Sequence, residues 1–460
     1  MLKRLALVAA AATFSLIPAT TAMASGHRST HTGASTRGHT TSQPRARIRG
    51  HTSMRRRGNT RGHPAPATPD QVVQWNQVLQ QALVAPGAQP PSIHPTRTMA
   101  ITQSAVYDAV NGIRRQGEPM LVDMRGPRDA SAGAAAAAAA RTALDELLPS
   151  QAPTIDAAFA TSMRELGDRQ PVSRGIRFGD RVAQAVLAAR ANDGATATPP
   201  VFTPVAGAGN YQLTPPAFAP AGFTQTAHVT PFVLASSSRF RPGPPPALTS
   251  ARYAADLREV ESLGRLGSTT RTADETAIGT FWGAAPVWVV WNQVADQAAV
   301  RLHDTLEQNA QLFAVLDTTL ADSAIALYDA KYTYARWRPV TAITATDQGN
   351  HVTTADPTWL PLANTANDPS YPGAHAEFSQ AASTVLRRFF GTDAFSFSLS
   401  NAAVGITRSF GSFSQAAAEA SASRIFAGQH FRYDEDAGQK LGGRVARFVL
   451  DRTLRRADRR

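Results

Sequence analysis

Three stretches in the last third of the chain gather residue types that can hold and activate a small oxyanion. The first is Lys331-Tyr-Thr-Tyr-Ala-Arg-Trp-Arg338-Pro339. Seven residues are two helical turns, so both cations would leave one helix face. Pro339 disfavours helical geometry at the residue before it, which puts Arg338 near the helix end. The second stretch is Asp368-Pro-Ser-Tyr-Pro372-Gly373-Ala374-His375. It reads as a turn entering an apolar helix, and a helix start offers free N–H groups to an anion. The third is Ser423-Arg424-Ile-Phe-Ala-Gly428-Gln-His430-Phe-Arg-Tyr-Asp434. Asp434 lies four residues after His430, a spacing that lets a carboxylate orient the imidazole through its other nitrogen. Together they supply three fixed cations, two histidines, helix-start amides and one orienting carboxylate. A tetrahedral or trigonal-bipyramidal oxyanion needs that set: cations for the peripheral oxygens, one histidine as axial ligand or nucleophile, one as acid–base. Each part alone has an ordinary counterpart: a solvated helix face, a satisfied buried histidine, an Arg424–Asp434 structural ion pair. The functional reading rests on their combination.

The elements that must position these groups read as helices. Residue 68 onward shows helical periodicity, with Thr68-Pro69 as N-cap and first helical residue and Val72, Trp75, Leu79 and Ala82 on one face. Further helices are predicted over 98–113, 132–148, 153–166, 174–192, 250–263, 271–283, 287–306, 309–335, 374–390, 400–424 and 434–455. The alanine run 134–140 predicts a close helix-packing surface. Residues 195–248 hold eleven of the 31 prolines and predict an ordered crossover between two helical halves, 68–194 and 249–460. The fold class is therefore all-α, as two packed bundles with the chemistry in the C-terminal one.

Charge and composition narrow the classes. The net charge of +12 is concentrated in residues 1–69, which hold eleven Lys and Arg and no acid, leaving +1 for the rest. The pI describes a tail, and the near-neutral folded part offers nucleic acid no electrostatic footprint. Without any cysteine, disulfide scaffolds, thiolate metal sites and cysteine nucleophiles are excluded. Residues 1–24 read as a secretory signal, with Lys3 and Arg4 before the apolar run Leu5 to Leu16 and an Ala22-Met23-Ala24 cleavage site. A secreted, extracytoplasmic protein follows, with no transmembrane segment after cleavage. Residues 25–67 form a basic Arg/His/Ser/Thr-rich linker too poor in large apolar residues to fold alone. Arg-Gly-His recurs there at 37–39, 49–51 and 61–63; an anionic cell envelope is the partner such a tail would meet.

The three chemical stretches resemble the tripartite signature of vanadium-dependent haloperoxidases and type 2 phosphatidic-acid and acid phosphatases: K-x6-R-P, then P-S-G-H, then S-R-x5-H-x3-D. Lys331, Arg338-Pro339, Pro372, His375, Ser423-Arg424, His430 and Asp434 match in identity, order and spacing. The similarity extends over about 70–455 to the secreted bacterial haloperoxidase-like branch, through Tyr107-Asp108-Ala109-Val110-Asn111, Arg190-Ala-Asn-Asp193-Gly194 and Phe281-Trp282 with Pro286 and Trp291-Asn292, all read as packing positions. The resemblance implies vanadate, or phosphate in the same site, held by Lys331, Arg338, Arg424 and the Gly373 amide. It implies His430 as axial vanadium ligand, Asp434 fixing the His430 tautomer, and His375 as acid–base. Hydrogen peroxide and a halide would be the substrates, with Trp337, Phe378 and Trp359 as candidates for lining the halide site. Two alternatives stay open: a soluble acid phosphatase acting on a phosphate ester through a phosphohistidine at His430, and an exported oxyanion-binding protein without turnover. A homodimer is equally open. One departure matters: Gly373-Ala374 stand where the signature has Ser-Gly. In the family the serine hydroxyl bonds an oxygen of the oxyanion, and losing one such donor costs ~2–4 kcal/mol of transition-state stabilisation if nothing replaces it.

Overall fold

Residues 69–284 and 286–454 are described by the structure, a computed structural model. The signal-like segment 1–24, the basic linker 25–67 and Thr68 lie outside the described residues. Among the described residues thirteen α-helices and one pair of strands follow in order: α1 (Gln71–Val84), α2 (Pro95–Arg114), α3 (Ala132–Leu147), α4 (Ala152–Leu166), α5 (Gln170–Arg190), α6 (Ala251–Gly264), α7 (Ala273–Gly283), α8 (Val287–Arg301), α9 (Leu306–Tyr334), α10 (Pro339–Thr344), α11 (Ala374–Phe390), β1 (Ala394–Asn401), β2 (Ile406–Ser412), α12 (Phe413–Phe426) and α13 (Arg432–Thr453). The fold is all-α.

The longest helix, α9, is the axle. Thr305 caps it, with Gln308 closing a capping box, and its residues from Leu312 to Leu327 are buried around the whole circumference. A helix apolar on every side belongs inside a bundle. Although α9 is long and apolar enough to cross a membrane, nearly all of its apolar window is covered by its neighbours. It packs on α2 on the N-terminal side and on α11 and α13 on the C-terminal side. One continuous apolar cluster runs from Val72 in α1 through Trp291 and Leu320 to Leu450 in α13, so the two helical halves share a core. The alanines 134–140 are fully buried in α3, which packs against α5 and α2 as the absence of large side chains allows.

Residues 195–248 contain no helix longer than the four-residue 3-10 turn Ser237–Phe240. The segment is tied down by a buried carboxylate: Asp322 of α9 accepts the amides of Phe232, Val233 and Leu234 at 2.6, 2.8 and 2.8 Å. It also reaches the end of α9, where the Tyr211 amide donates to Ala335 and the Trp337 amide to Gly209. The crossover thereby braces the strand-like link that carries Arg338.

Three local expectations change. Helix α1 is capped by Asp70, whose carboxylate accepts the Val72 and Val73 amides, so the cap lies two residues beyond Thr68. Residues 400–412 are not helical: β1 and β2 form an antiparallel hairpin that buries Phe395, Phe397, Leu399 and Phe410. The reason is a strict period of two, with Phe395, Phe397 and Leu399 alternating with Ser396, Ser398 and Ser400. Finally, α9 ends at Tyr334, because Ala335 takes the left-handed conformation and its amide closes on the Lys331 carbonyl.

Candidate active site

The site forms where the C-terminus of α9, the N-termini of α11 and α13 and the last turn of α12 meet. The α11–α13 approach is unusually close. Gly438 and Gly442 make it possible: a Cβ on either would strike the carbonyl oxygen of Gly373 or Glu377. This contact sets the first turn of α11, which carries His375, against the first turn of α13, which carries Asp434.

Lys331 sits in the last turn of α9 with no exposed surface. Arg338 lies beyond the helix, in extended backbone as the cap of α10, with Pro339 as first helical residue. The expected two-turn helix face is therefore not realised, yet the two cations still converge. Both pair with Asp368: Lys331 Nζ lies 3.6 Å from its Oδ1, and the Arg338 guanidinium bonds the same oxygen and donates from Nε to the Asp368 carbonyl at 2.8 Å. Lys331 also donates to the carbonyls of Pro369 and Ser370.

Arg338 Nη1 donates to the Gln429 carbonyl at 3.0 Å and lies 2.9 Å from His430 Nε2. A guanidinium has no lone pair to offer, so Nε2 is the acceptor and carries no proton. The imidazole proton is then on Nδ1, which faces Asp434 Oδ2 at 3.2 Å. The same carboxylate oxygen accepts the Phe431 amide at 3.0 Å and the Ser370 hydroxyl at 2.5 Å. Three donors thus fix Asp434, and Asp434 fixes the tautomer that leaves the His430 Nε2 lone pair directed at Arg338.

Arg424 differs from the other two cations. It is 7% exposed, and among the described residues its Nε and Nη1 find no hydrogen-bond partner. His375 is partly buried and its Nε2 lies 3.1 Å from the Trp282 carbonyl, so Nε2 carries that ring's proton and Nδ1 is left as a base. Ser423 is turned away, its hydroxyl bonding the Ala420 carbonyl one turn back.

Burial and mutual repulsion set the protonation states. Desolvation, with Arg338, Lys331 and Arg424 adding to it, holds His430 well below its ordinary range. His375 is lowered in the same way by burial and by Arg424. Both rings are neutral at neutral pH. Burial lowers Lys331 to about 8 and Arg424 to about 10. Asp368 feels burial pushing it up, but Lys331 and Arg338 overcome that and hold it below the usual carboxylate range. Burial raises Asp434 to about 6 and Glu435 to about 8.

Lys331, Arg338, His375, Arg424, His430 and Asp434 are thus brought into one region. Gly373 requires a correction: its amide donates to the Asp434 carbonyl at 2.9 Å and does not face an anion. The next three amides, of Ala374, His375 and Ala376, are the unpaired ones of the helix start among the described residues. The aromatic candidates scatter. Trp359 donates to the Glu261 carbonyl and Trp337 packs in a second cluster with Tyr253 and Val340, while Phe378 stacks on the buried His94. Sequence reasoning passed over Asp368, Ser370 and Glu435. The first two lie inside the quoted turn, and the third adjoins Asp434 and places Oε1 3.8 Å from His430 Nδ1.

Comparison with known proteins points the same way. Residues 311–459 match the family described as the VCPO second helical-bundle domain. The vanadium chloroperoxidase of Curvularia inaequalis is 29% identical over 181 residues, 32% of this chain; the match spans 29% of that protein's own length. Among solved structures, a bacterial vanadium-dependent iodoperoxidase described as the first of its kind superposes with a TM-score of 0.71 at 26% identity, over 84% of this chain and 95% of that one. A holo-type bacterial vanadium-dependent chloroperoxidase shares the fold with a TM-score of 0.65 at 16% identity, over 84% and 98% of the two chains.

Proposed function

The chain belongs to the vanadium-dependent haloperoxidase superfamily, and from that premise we propose that it binds vanadate between Lys331, Arg338, Arg424 and His430 and oxidises a halide with hydrogen peroxide. The observation that carries the reading is Arg424: a buried guanidinium with two unpartnered nitrogens, near enough for its charge to help hold His375 and His430 neutral. Leaving charged donors unpaired in a protein interior is costly, and an oxyanion removes that cost. The donor set fits a tetrahedral anion, with cations from several directions and one imidazole lone pair.

Vanadate, when bound, would act as a Lewis acid that activates peroxide without changing its own oxidation state. The chain's residues do the rest. His430 offers Nε2 without first losing a proton, because its neighbours keep it neutral. Asp434 holds the Nδ1 proton in place, so the ring keeps one orientation. Lys331, Arg338 and Arg424 would hold the anion by charge and hydrogen bonding, with Asp368 keeping Lys331 and Arg338 in register. His375, with Nδ1 free, can take a proton from peroxide and return it to the departing oxygen. Export on residues 1–24, with 25–67 holding the enzyme at an anionic envelope, belongs to the same reading.

Gly373 favours a second reading. Binding tolerates a missing hydroxyl better than halide oxidation does, and the same residues serve phosphomonoester hydrolysis. A monoanionic ester would pass its proton to His375 Nδ1 on binding, His430 Nε2 would attack phosphorus, and His375 would return that proton to the leaving alkoxide. Purified protein assayed with orthovanadate, peroxide and bromide, and in parallel with a chromogenic phosphomonoester, separates the two. Vanadate-dependent bromination that disappears in His430→Ala supports the first reading. Ester hydrolysis inhibited by vanadate replaces it with the second, and vanadate binding with neither activity leaves an oxyanion-binding protein.

A further inference from the structure

The two histidines of the site are held by different means. His430 has the Asp434 carboxylate against its ring, whereas His375 meets a main-chain carbonyl, that of Trp282, 3.1 Å from Nε2. Trp282 is the penultimate residue of α7, where the last carbonyls have no partner inside the helix, so this one is free to accept. A carbonyl in a last turn is a mobile partner unless something anchors the turn. Here the anchor is the indole of the same residue. Its ring is fully buried, edge-on to Phe281 and packed on Phe410 of β2, and its Nε1–H donates to Glu419 Oε1 in α12 at 3.1 Å. Glu419 is clamped in turn. Arg408 of β2 meets both its oxygens, Nε to Oε1 at 3.1 Å and Nη2 to Oε2 at 2.7 Å, and gives Nη1 to Asp274 in the first turn of α7. Asn401 of β1 donates to the Phe281 carbonyl at 3.1 Å, beside Trp282. The hairpin thus grips α7 at both ends, and the grip passes through Glu419.

We infer that Glu419 is a positioning residue for His375: by holding the Trp282 indole it fixes the carbonyl that keeps the ring proton on Nε2, and so leaves Nδ1 free as the base. The base role of His375 rests on the reading proposed above; the hydrogen bond to Trp282 does not. A bidentate guanidinium–carboxylate pair fixes the plane of the carboxylate, and the indole N–H then has one defined acceptor to meet. Helix α12 carries Arg424 five residues after Glu419, so one helix bears both a cation of the oxyanion site and the anchor of the base. It packs tightly on α7, where a Cβ on Gly279 would lie 3.3 Å from the backbone of Phe426 and Ala427. The β1–β2 hairpin therefore acts on the chemistry from outside the pocket, as the support of the acid–base residue.

The test uses the folded full chain with isotope-labelled histidine. An imidazole N–H gives a proton–nitrogen correlation signal only while a hydrogen bond protects it from exchange with water. The wild type should show the His375 Nε2–H signal, assigned by its loss in His375→Gln. Glu419→Gln keeps an oxygen for the indole and should retain the signal, with kcat for vanadate-dependent bromination within about threefold of the wild type. Glu419→Ala should lose the signal and lower kcat about 10–100-fold, while the vanadate Kd stays within about threefold. Trp282→Phe keeps the buried ring and the carbonyl but has no N–H, and should reproduce Glu419→Ala; it decides the matter if the alanine variant does not fold, which melting curves report. A protected Nε2–H with wild-type kcat in Trp282→Phe overturns the inference. So does a loss of vanadate affinity that matches the loss of kcat, which would make Glu419 a support for Arg424 instead. A wild type that brominates nothing defeats the haloperoxidase reading, and the histidine signal in the variants still decides the inference.

Discussion

Replacing Arg424 should move two properties in opposite directions. Its guanidinium is buried with Nε and Nη1 unpartnered, and burial lowers its pKa to about 10. That lowering corresponds to about 3 kcal/mol of penalty on the anion-free protein. An independent count gives a similar size, since two unsatisfied buried donors cost about 1–3 kcal/mol each. Arg424→Met keeps most of the aliphatic stem and removes the charge, so the anion-free variant should be more stable by about 1–3 kcal/mol. For a chain of this length each kcal/mol is worth about 2 °C in Tm. Anion binding should suffer: two hydrogen bonds from a charged donor contribute about 1.5–3 kcal/mol each, so the vanadate Kd should rise by about two to four orders of magnitude. Scanning calorimetry with and without orthovanadate reads both effects, because a ligand that binds only the folded state raises Tm according to its affinity. A variant that melts lower without ligand and keeps the wild-type vanadate response would refute the reasoning and make Arg424 a structural residue.

Three further outcomes follow from the same geometry. Tungstate affinity should fall as pH rises above about 8, where Lys331 sheds its proton, with Lys331→Arg holding affinity to higher pH in a titration series. In the anion-free protein Lys331 acts on stability with the opposite sign, adding stability between about 8 and 10.5, because the unfolded chain keeps a proton the folded chain has lost. Asp434→Asn keeps one acceptor oxygen for Ser370, Phe431 and His430 but removes the negative charge that holds the His430 Nδ1 proton, and should weaken vanadate binding about 10–100-fold by calorimetry. Asp322→Ala strands the amides of residues 232–234 at the crossover and should cost about 3–5 kcal/mol in denaturant unfolding while leaving His430 unaltered.

The helical periodicity and the spacing of Lys331, Arg338, His375, Arg424, His430 and Asp434 made the fold class and most of the site readable from the chain. Side-chain identity and helical phase carry that information directly. What stayed hidden depends on backbone direction. Ala335 in the left-handed region ends α9 at Tyr334, one residue before the predicted end, and turns Arg338 into extended backbone; nothing in Tyr-Ala-Arg announces it. Whether Gly373 or Ala374 offers its amide depends on where the Asp434 carbonyl lands after α11 and α13 close together. Asp368 and Ser370 were visible as polar residues in a turn, but their roles require the turn to fold back onto Lys331 and Asp434. Glu435 reads as an ordinary first-turn acid that favours a helix N-terminus; that its carboxyl fills the space beside Gly373 follows only from the packing of α11 on α13. The hairpin 394–412 was legible in its alternating Phe and Ser and was lost to the helical pattern on either side.

The central claim is that residues from α9, α11, α12 and α13 enclose a single oxyanion. A crystal structure of the protein equilibrated with orthovanadate tests it most directly. The account predicts one vanadate with His430 Nε2 as its protein ligand, Arg424 Nε and Nη1 bonded to its oxygens, and Arg338 Nη1 drawn off the imidazole toward it. Vanadate bound elsewhere, or a pocket still empty at saturating concentration with Arg424 unpaired, would contradict the account.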